Sequence, residues 1–223
     1  MRCELNPSTL GFEGLKAFVY DFGQFFLSDG YAEFYQRARV SRLDVAFDIH
    51  GMDINDAHIW SNSLKVSQKY NGVGGRTETL ILGSKKGRST VIYNKAAQLL
   101  QNKDIAPTEP CTRLEARLKN ACMLKNLKNL KNPLLDLYIS SMKPPKGLDK
   151  DLWLLFNAYS HAKTQNAALQ SLSPKIRKVL TTELKNQHVD YWNSKELWAT
   201  WPDIIIKSGL YAYYGQQQHF NNI

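Results

Sequence analysis

The chain has 223 residues, 43% of them hydrophobic and 11% aromatic, enough for one ordinary core or a core with a helical appendage. Its 29 Lys and Arg outnumber its 20 Asp and Glu, giving a formal charge of +9; this points to a polyanionic partner, the plain alternative being a protein that is basic without one. Three scattered cysteines, Cys3, Cys111 and Cys122, exclude a disulfide scaffold or zinc ribbon and fit a reducing cytoplasm, and the lack of an apolar h-region after Met1 or a run of roughly 18 apolar residues leaves no expected signal peptide or membrane span.

In chain order, RCELNP reads as a strand ending at Pro7. Leu15 to Leu27 is apolar at helical spacing and predicts a helix ending before Asp29-Gly30. Tyr31 to Arg39 predicts a short helix leading into a strand, Ser41 to Gly51. There Arg42, Asp44, Ala46, Asp48 and His50 share one face, and Leu43, Val45, Phe47 and Ile49 the other. Asn55 to Lys65 predicts a helix, followed by a Gly-rich turn at Asn71 to Gly75. Thr77 to Gly83 and Ser89 to Asn94 predict a hairpin around the basic turn SKKGR. A helix is expected over Lys95 to Asn102, then a Pro-containing loop (Ile105 to Pro110) and a strand over Thr112 to Asn120. Its Arg113, Glu115, Arg117 and Lys119 oppose Leu114, Ala116 and Leu118.

Beyond Asn120, Leu124, Leu127 and Leu130 alternate with Lys125, Lys128 and Lys131 as in one or two basic amphipathic helices. KPPKG (Lys143 to Gly147) reads as a linker. Residues 149–210 read as helical throughout, with a cap signal at Ser171-Leu172-Ser173-Pro174. The tail from Tyr211 is polar and aromatic. The order of elements suits an α+β fold: an antiparallel sheet with helices on one face and its charged face open.

Asp44, Asp48 and Glu115 are the candidate metal set, because hard cations such as Mg²⁺ or Mn²⁺ take carboxylate oxygens. The alternative is a set of ion pairs with Arg42, Arg113 and Arg117 on an exposed sheet face. His50 is either a further ligand or an ordinary strand-end residue. Lys95 is either a cation fixed against a phosphate or a helix-start lysine. Lys85, Lys86 and Arg88 either grip a nucleic-acid backbone or form a solvated turn. A nicking enzyme of the tyrosine type needs a phenol, and Tyr138 and Tyr191, both expected on helices, are candidates alongside core roles. There is no GxxxxGK[ST], GxSxG or HExxH, and no His-hydrophobic-His segment.

Three ordered segments, RLDVAFDIHG, LILGSKKGRSTVIYNKAAQL and TRLEARLK, resemble the replication initiation factor family. Its members include rolling-circle initiators of small plasmids, related proteins of filamentous phages and relaxases of some integrative elements. They typically show an R-[ILV]-D-x-x-x-D strand, a G-S-(R/K)-x-S-x-x-x-x-[IV]-Y-[DN]-K hairpin and an R-x-E-x-[QRE]-[LF] strand. The likeness runs from Val40 to Asn120, just over a third of the chain.

The resemblance implies a palm related to the ferredoxin-like core of rolling-circle initiators. We take residues 1–142 as that domain and 148–223 as a helical C-terminal region. It implies an endonuclease that nicks one DNA strand at an origin by metal-assisted tyrosine transesterification, keeps the 5′ end, frees a 3′-OH and later rejoins the ends. Asp44, Asp48 and Glu115 carry over as the Mg²⁺ or Mn²⁺ residues, and Tyr93 and Lys95 as the matched Tyr-x-Lys. Tyr138 is the first tyrosine after Glu115, and Tyr191 lies in VDYWN, which resembles the sequence around the plasmid nucleophile. Origin DNA is the implied partner, single- or double-stranded, with a host helicase and a second copy of the chain as further expected partners, no membrane, and the bacterial cytoplasm as the location. The alternative is a catalytically inactive DNA-binding regulator on the same scaffold.

Overall fold

Alternating polar and apolar residues build the main sheet. The computed structural model describes residues 3–26, 30–84, 86–103 and 108–213. Helix α1 (Pro7–Phe26), bent at Gly11, and helix α2 (Gly30–Arg37) precede strand β1 (Arg39–His50). Strand β2 (Ala57–Ser61) follows, then β3 (Ser67–Asn71), β4 (Thr77–Gly83), β5 (Ser89–Asn94), α3 (Lys95–Lys103), β6 (Cys111–Met123) and β7 (Leu137–Ser141). Five helices close the described chain: α4 (Lys150–Ala162), α5 (Gln165–Ser171), α6 (Pro174–Asn186), α7 (Ser194–Ala199) and α8 (Trp201–Lys207). The fold is α+β, with a five-stranded antiparallel sheet in the order β1-β6-β5-β4-β3 and a separate two-stranded ladder of β2 and β7.

The apolar face of the large sheet is covered by that ladder. Ala57, Ile59, Leu137 and Ile139 form one core with Leu80, Leu82, Ile92, Leu114 and Ala116 of the sheet. The alternate residue Trp60 joins Trp153, Phe156, Leu169, Leu180 and Leu184 from α4, α5 and α6 in a second core, with Tyr138 packed against it. All five β2 residues are therefore buried. This corrects the helix expected over Asn55 to Lys65: a strand covered on both faces shows no period-two pattern. Tyr138 likewise lies on a strand, not a helix.

Other expectations shift locally. Residues 3–6, the described part of RCELNP before Pro7, form no strand, and Pro7 opens α1, where a missing N–H costs nothing. The Lys/Leu segment folds as a 3-10 helix over Leu124–Asn129 with Leu124 and Leu127 buried; leucines every three residues match its three residues per turn. The C-terminal region is interrupted between α6 and α7, and Tyr191 sits in that break rather than on a helix. The β4–β5 hairpin holds the expected bounds, and Ser173 caps α6 with Pro174 at its first turn. Leu27, Lys85, residues 105–107 of the Pro-containing loop and the tail from residue 214 lie outside the described residues.

Contacts divide the chain into two compact units, Leu43–Lys119 with Pro133–Ser194, and Met1–Arg42 with Asn120–Asn132 and Lys195–Ile223. They interleave along the sequence, so the boundary expected at residues 142–148 falls inside the larger one. In the smaller unit Tyr35 Oη donates to Leu210 O at 2.6 Å and Trp201 Nε1 to Leu127 O at 2.8 Å, and Trp198 stacks on Trp201 at 4.8 Å between ring centroids. Among the described residues no helix is long and apolar enough to cross a membrane.

Candidate nucleic-acid site

The larger unit presents the polar face of its sheet. Register sets Tyr93 of β5 opposite Arg113 of β6 and Val91 opposite Glu115, while Thr79 of β4 pairs with Tyr93 on the other side. Strand alternation points all of these to the face away from Leu80, Ile92 and Leu114. Helix α3 borders this face. Between them lies an open cleft of about 310 Å³, lined among others by Thr79, Tyr93, Gln98, Gln101, Glu115 and Arg117.

Charges on this face pair in a definite way. Arg113 Nε donates to Asp48 Oδ1 at 2.5 Å and Nη2 to Oδ2 at 2.6 Å. The guanidinium holds the Asp48 carboxyl below the usual aspartate range against the opposing effect of partial burial, with Lys95 and His50 adding smaller pulls the same way; Asp48 in turn raises Arg113. Arg117 Nε donates to Glu115 Oε1 at 2.7 Å. Lys95 Nζ donates to Gln98 Oε1 at 2.7 Å. His50 Nδ1 lies 3.1 Å from Glu109 Oε1. Burial pushes the Tyr93 phenol up, Arg113 beside it pulls it down, and the charges of Glu115 and Asp48 raise it further.

Asp48, Glu115, Tyr93, Lys95, Arg113 and Arg117 are thus brought together. Asp44 is exposed on β1, on the same side of the strand as Asp48. Among the described residues no group of three or more His, Cys, Asp and Glu is arranged to hold a metal ion, and both oxygens of Asp48 and one of Glu115 face guanidinium groups. In this arrangement the carboxylates do not fit a metal ion.

The remaining candidates lie elsewhere. Tyr138 stacks on Trp60 at 5.3 Å with Lys185 Nζ 4.4 Å above its ring, in the core on the far side of the ladder from the sheet. Tyr191 is half-exposed; burial and the charge of Asp56, not any sheet carboxylate, raise its phenol. Arg88 turns toward Ser63 Oγ at 2.5 Å and Asp136 at 3.7 Å. Lys86 is exposed on the hairpin, Lys85 lies outside the described residues, and Arg42 is exposed on the part of β1 that belongs to the smaller unit. The sequence reading did not anticipate Gln98 and Gln101 as a cleft wall; their three-residue spacing on one helix face was the available signal. No family model matches this chain, and no curated protein matches it.

Proposed function

We propose that this protein acts on DNA as a replication initiator of the rolling-circle kind, nicking and rejoining one strand on the open face of its sheet. The observation that carries the reading is Tyr93, a phenol flanked by Arg113, Glu115 and Asp48 on a face open to a polymer. In the proposed step the Tyr93 oxygen attacks a backbone phosphorus and loses its proton to Glu115. The bond from phosphorus to the 3′ oxygen breaks, that oxygen takes up a proton, and the 5′ phosphate remains on the tyrosine. Arg117 and Lys95 balance the charge on the non-bridging oxygens. Return of the 3′-OH reverses these steps and reseals the strand. No step runs through Mg²⁺ or Mn²⁺.

A binding-only regulator is the second reading. The closure of Asp48 by Arg113 favours it, since that pair ties up a carboxylate and a cation that a phosphate would otherwise meet. The two readings part in one assay. Supercoiled DNA carrying the cognate origin is incubated with the protein, with Mg²⁺, Mn²⁺ or a chelator, and run on a denaturing gel with and without protease. Open circles bearing protein at a 5′ end, absent with Tyr93→Phe, support the enzyme. Retarded but uncut DNA in every condition supports the regulator. An adduct that survives Tyr93→Phe and disappears with Tyr191→Phe sinks the assignment of Tyr93.

A further inference from the structure

Helices α5 and α6 meet through only Leu172 and Ser173. Both are capped by hydroxyls: Thr164 Oγ1 accepts from Ala167 N at 3.0 Å, and Ser173 Oγ from Ile176 N at 3.5 Å. Arg177 folds back to lock the turn, donating to Gln170 Oε1 at 3.1 Å, Gln170 O at 3.0 Å and Leu172 O at 2.9 Å. Ala168 and Leu169 of α5 and Leu180 and Leu184 of α6 anchor the pair in the core around Trp60, Trp153 and Phe156. The result is a short helix, a tight turn and a longer helix with one side fixed.

The other side of α6 faces out. At 3.6 residues per turn, Lys175, Lys178, Val179, Thr182 and Asn186 fall on the stripe opposite Leu180 and Leu184, and all five are exposed. Glu183 is the acidic residue of α6 and sits half-buried on the flank. Two lysines and an exposed valine, followed along the stripe by a hydroxyl and a carboxamide, are the chemistry that reads base edges. Lysine meets phosphate or guanine, a branched methyl meets the thymine methyl, and asparagine meets adenine. A helix with its side chains is about 10–12 Å across and fits a major groove of about 12 Å.

We propose that α5 and α6 form a helix-turn-helix unit whose α6 enters the major groove of duplex DNA. This goes beyond the cleft reading, because a groove-reading helix serves the protein whether or not it cuts. Positive charge on the stripe argues for a polyanion, and the rigid turn argues for the regular groove of a duplex over a flexible single strand.

The test uses the full chain and a labelled duplex of about 40 base pairs, titrated by fluorescence anisotropy between about 50 and 200 mM salt. Replacing both lysines (Lys175→Gln, Lys178→Gln) is expected to weaken duplex binding at least about tenfold and to make the slope of log K against log salt shallower by about 2. Selection from a random duplex pool is expected to enrich a short motif that changes with Val179→Ala or Asn186→Ala. Unchanged affinity and slope overturn the proposal. So does an equal loss on a single-stranded oligonucleotide of the same length, a wild-type chain with no duplex affinity, or selection that enriches nothing. The same variants are assayed for nicking of a pre-melted strand, so a failed nuclease and a failed groove reader give different results.

Discussion

Arg113 grips both carboxylate oxygens of Asp48 across neighbouring strands, at 2.5 and 2.6 Å. A two-point guanidinium pair of this kind is stronger than a single surface contact, yet both side chains remain about 30% exposed (28% and 31%) and water weakens it. The pair therefore acts as a latch on the open face more than as a pillar of the fold.

That latch has a pH signature. The folded Asp48 value is depressed, so the stability it adds is present above 3.8 and is lost as pH falls through the lower folded value. Arg113→Gln is expected to cost about 1 kcal/mol near neutral pH. Urea unfolding at a series of pH values checks this: the gap between wild type and variant should stay constant down to 3.8 and close only below it. A gap that closes near neutral pH would assign the loss to another group.

His58 sets a second acid sensitivity, in a higher pH window. It is fully buried, its ring lies 5.2 Å from Trp153 and 5.1 Å from Phe156, and among the described residues neither ring nitrogen has a hydrogen-bond partner of good geometry. Desolvation brings its value down from 6.5 to about 4, with the neighbouring Asn157 pulling slightly upward. Below 6.5 the unfolded chain binds a proton that the folded chain refuses. Stability should thus fall by about 1.4 kcal/mol per pH unit from 6.5 toward 4, about 3 kcal/mol in all. His58→Phe should flatten that slope in denaturant titrations; an unchanged slope would show that another group governs acid sensitivity.

Tyr138 separates packing from chemistry. Its ring is sandwiched between Trp60 and the Lys185 ammonium. Tyr138→Phe should leave thermal stability and strand cleavage unchanged, whereas Tyr138→Ala should cost about 3 kcal/mol. Loss of cleavage in the phenylalanine variant, with stability intact, would return Tyr138 to the list of nucleophiles.

Gly83 closes the hairpin. Its φ is +94°, and a Cβ there would lie 2.4 Å from the carbonyl oxygen of Arg88. Gly83→Ala should cost at least about 2 kcal/mol, while Gly87→Ala, whose added methyl among the described residues meets only Ser84 Oγ at 3.8 Å, should be nearly neutral. Equal melting temperatures for the two variants would contradict this account of the turn.

How much of this was legible in the sequence depended on whether a local rule held. The β4–β5 hairpin was readable because its strands alternate and its turn is rich in glycine and charge. The strand over Ala57–Ser61 was not, because both its faces are buried and only its partner, far along the chain, reveals it as a strand. The faces of β1 and β6 were readable from alternation, but the choice of Arg113 rather than Arg42 or Arg117 as the partner of Asp48 depends on how the strands are aligned, which no local pattern encodes. The nearness of Tyr93 to the charged cluster was concealed for the same reason. The motif resemblance marked the residue without saying which groups surround it.

The β2–β7 ladder also sets a timetable. Ala57 pairs with Ser141 and Ser61 with Leu137, so a strand that ends fully buried leaves the ribosome long before its partner is made. Closing so wide a loop is entropically slow, and until then the strand offers unpaired edges to other chains. The middle layer cannot assemble until β7 is made, after all five strands of the large sheet. Nascent chains stalled between β2 and β7 should be its most aggregation-prone form, a vulnerability set by the order of synthesis and invisible in the finished fold.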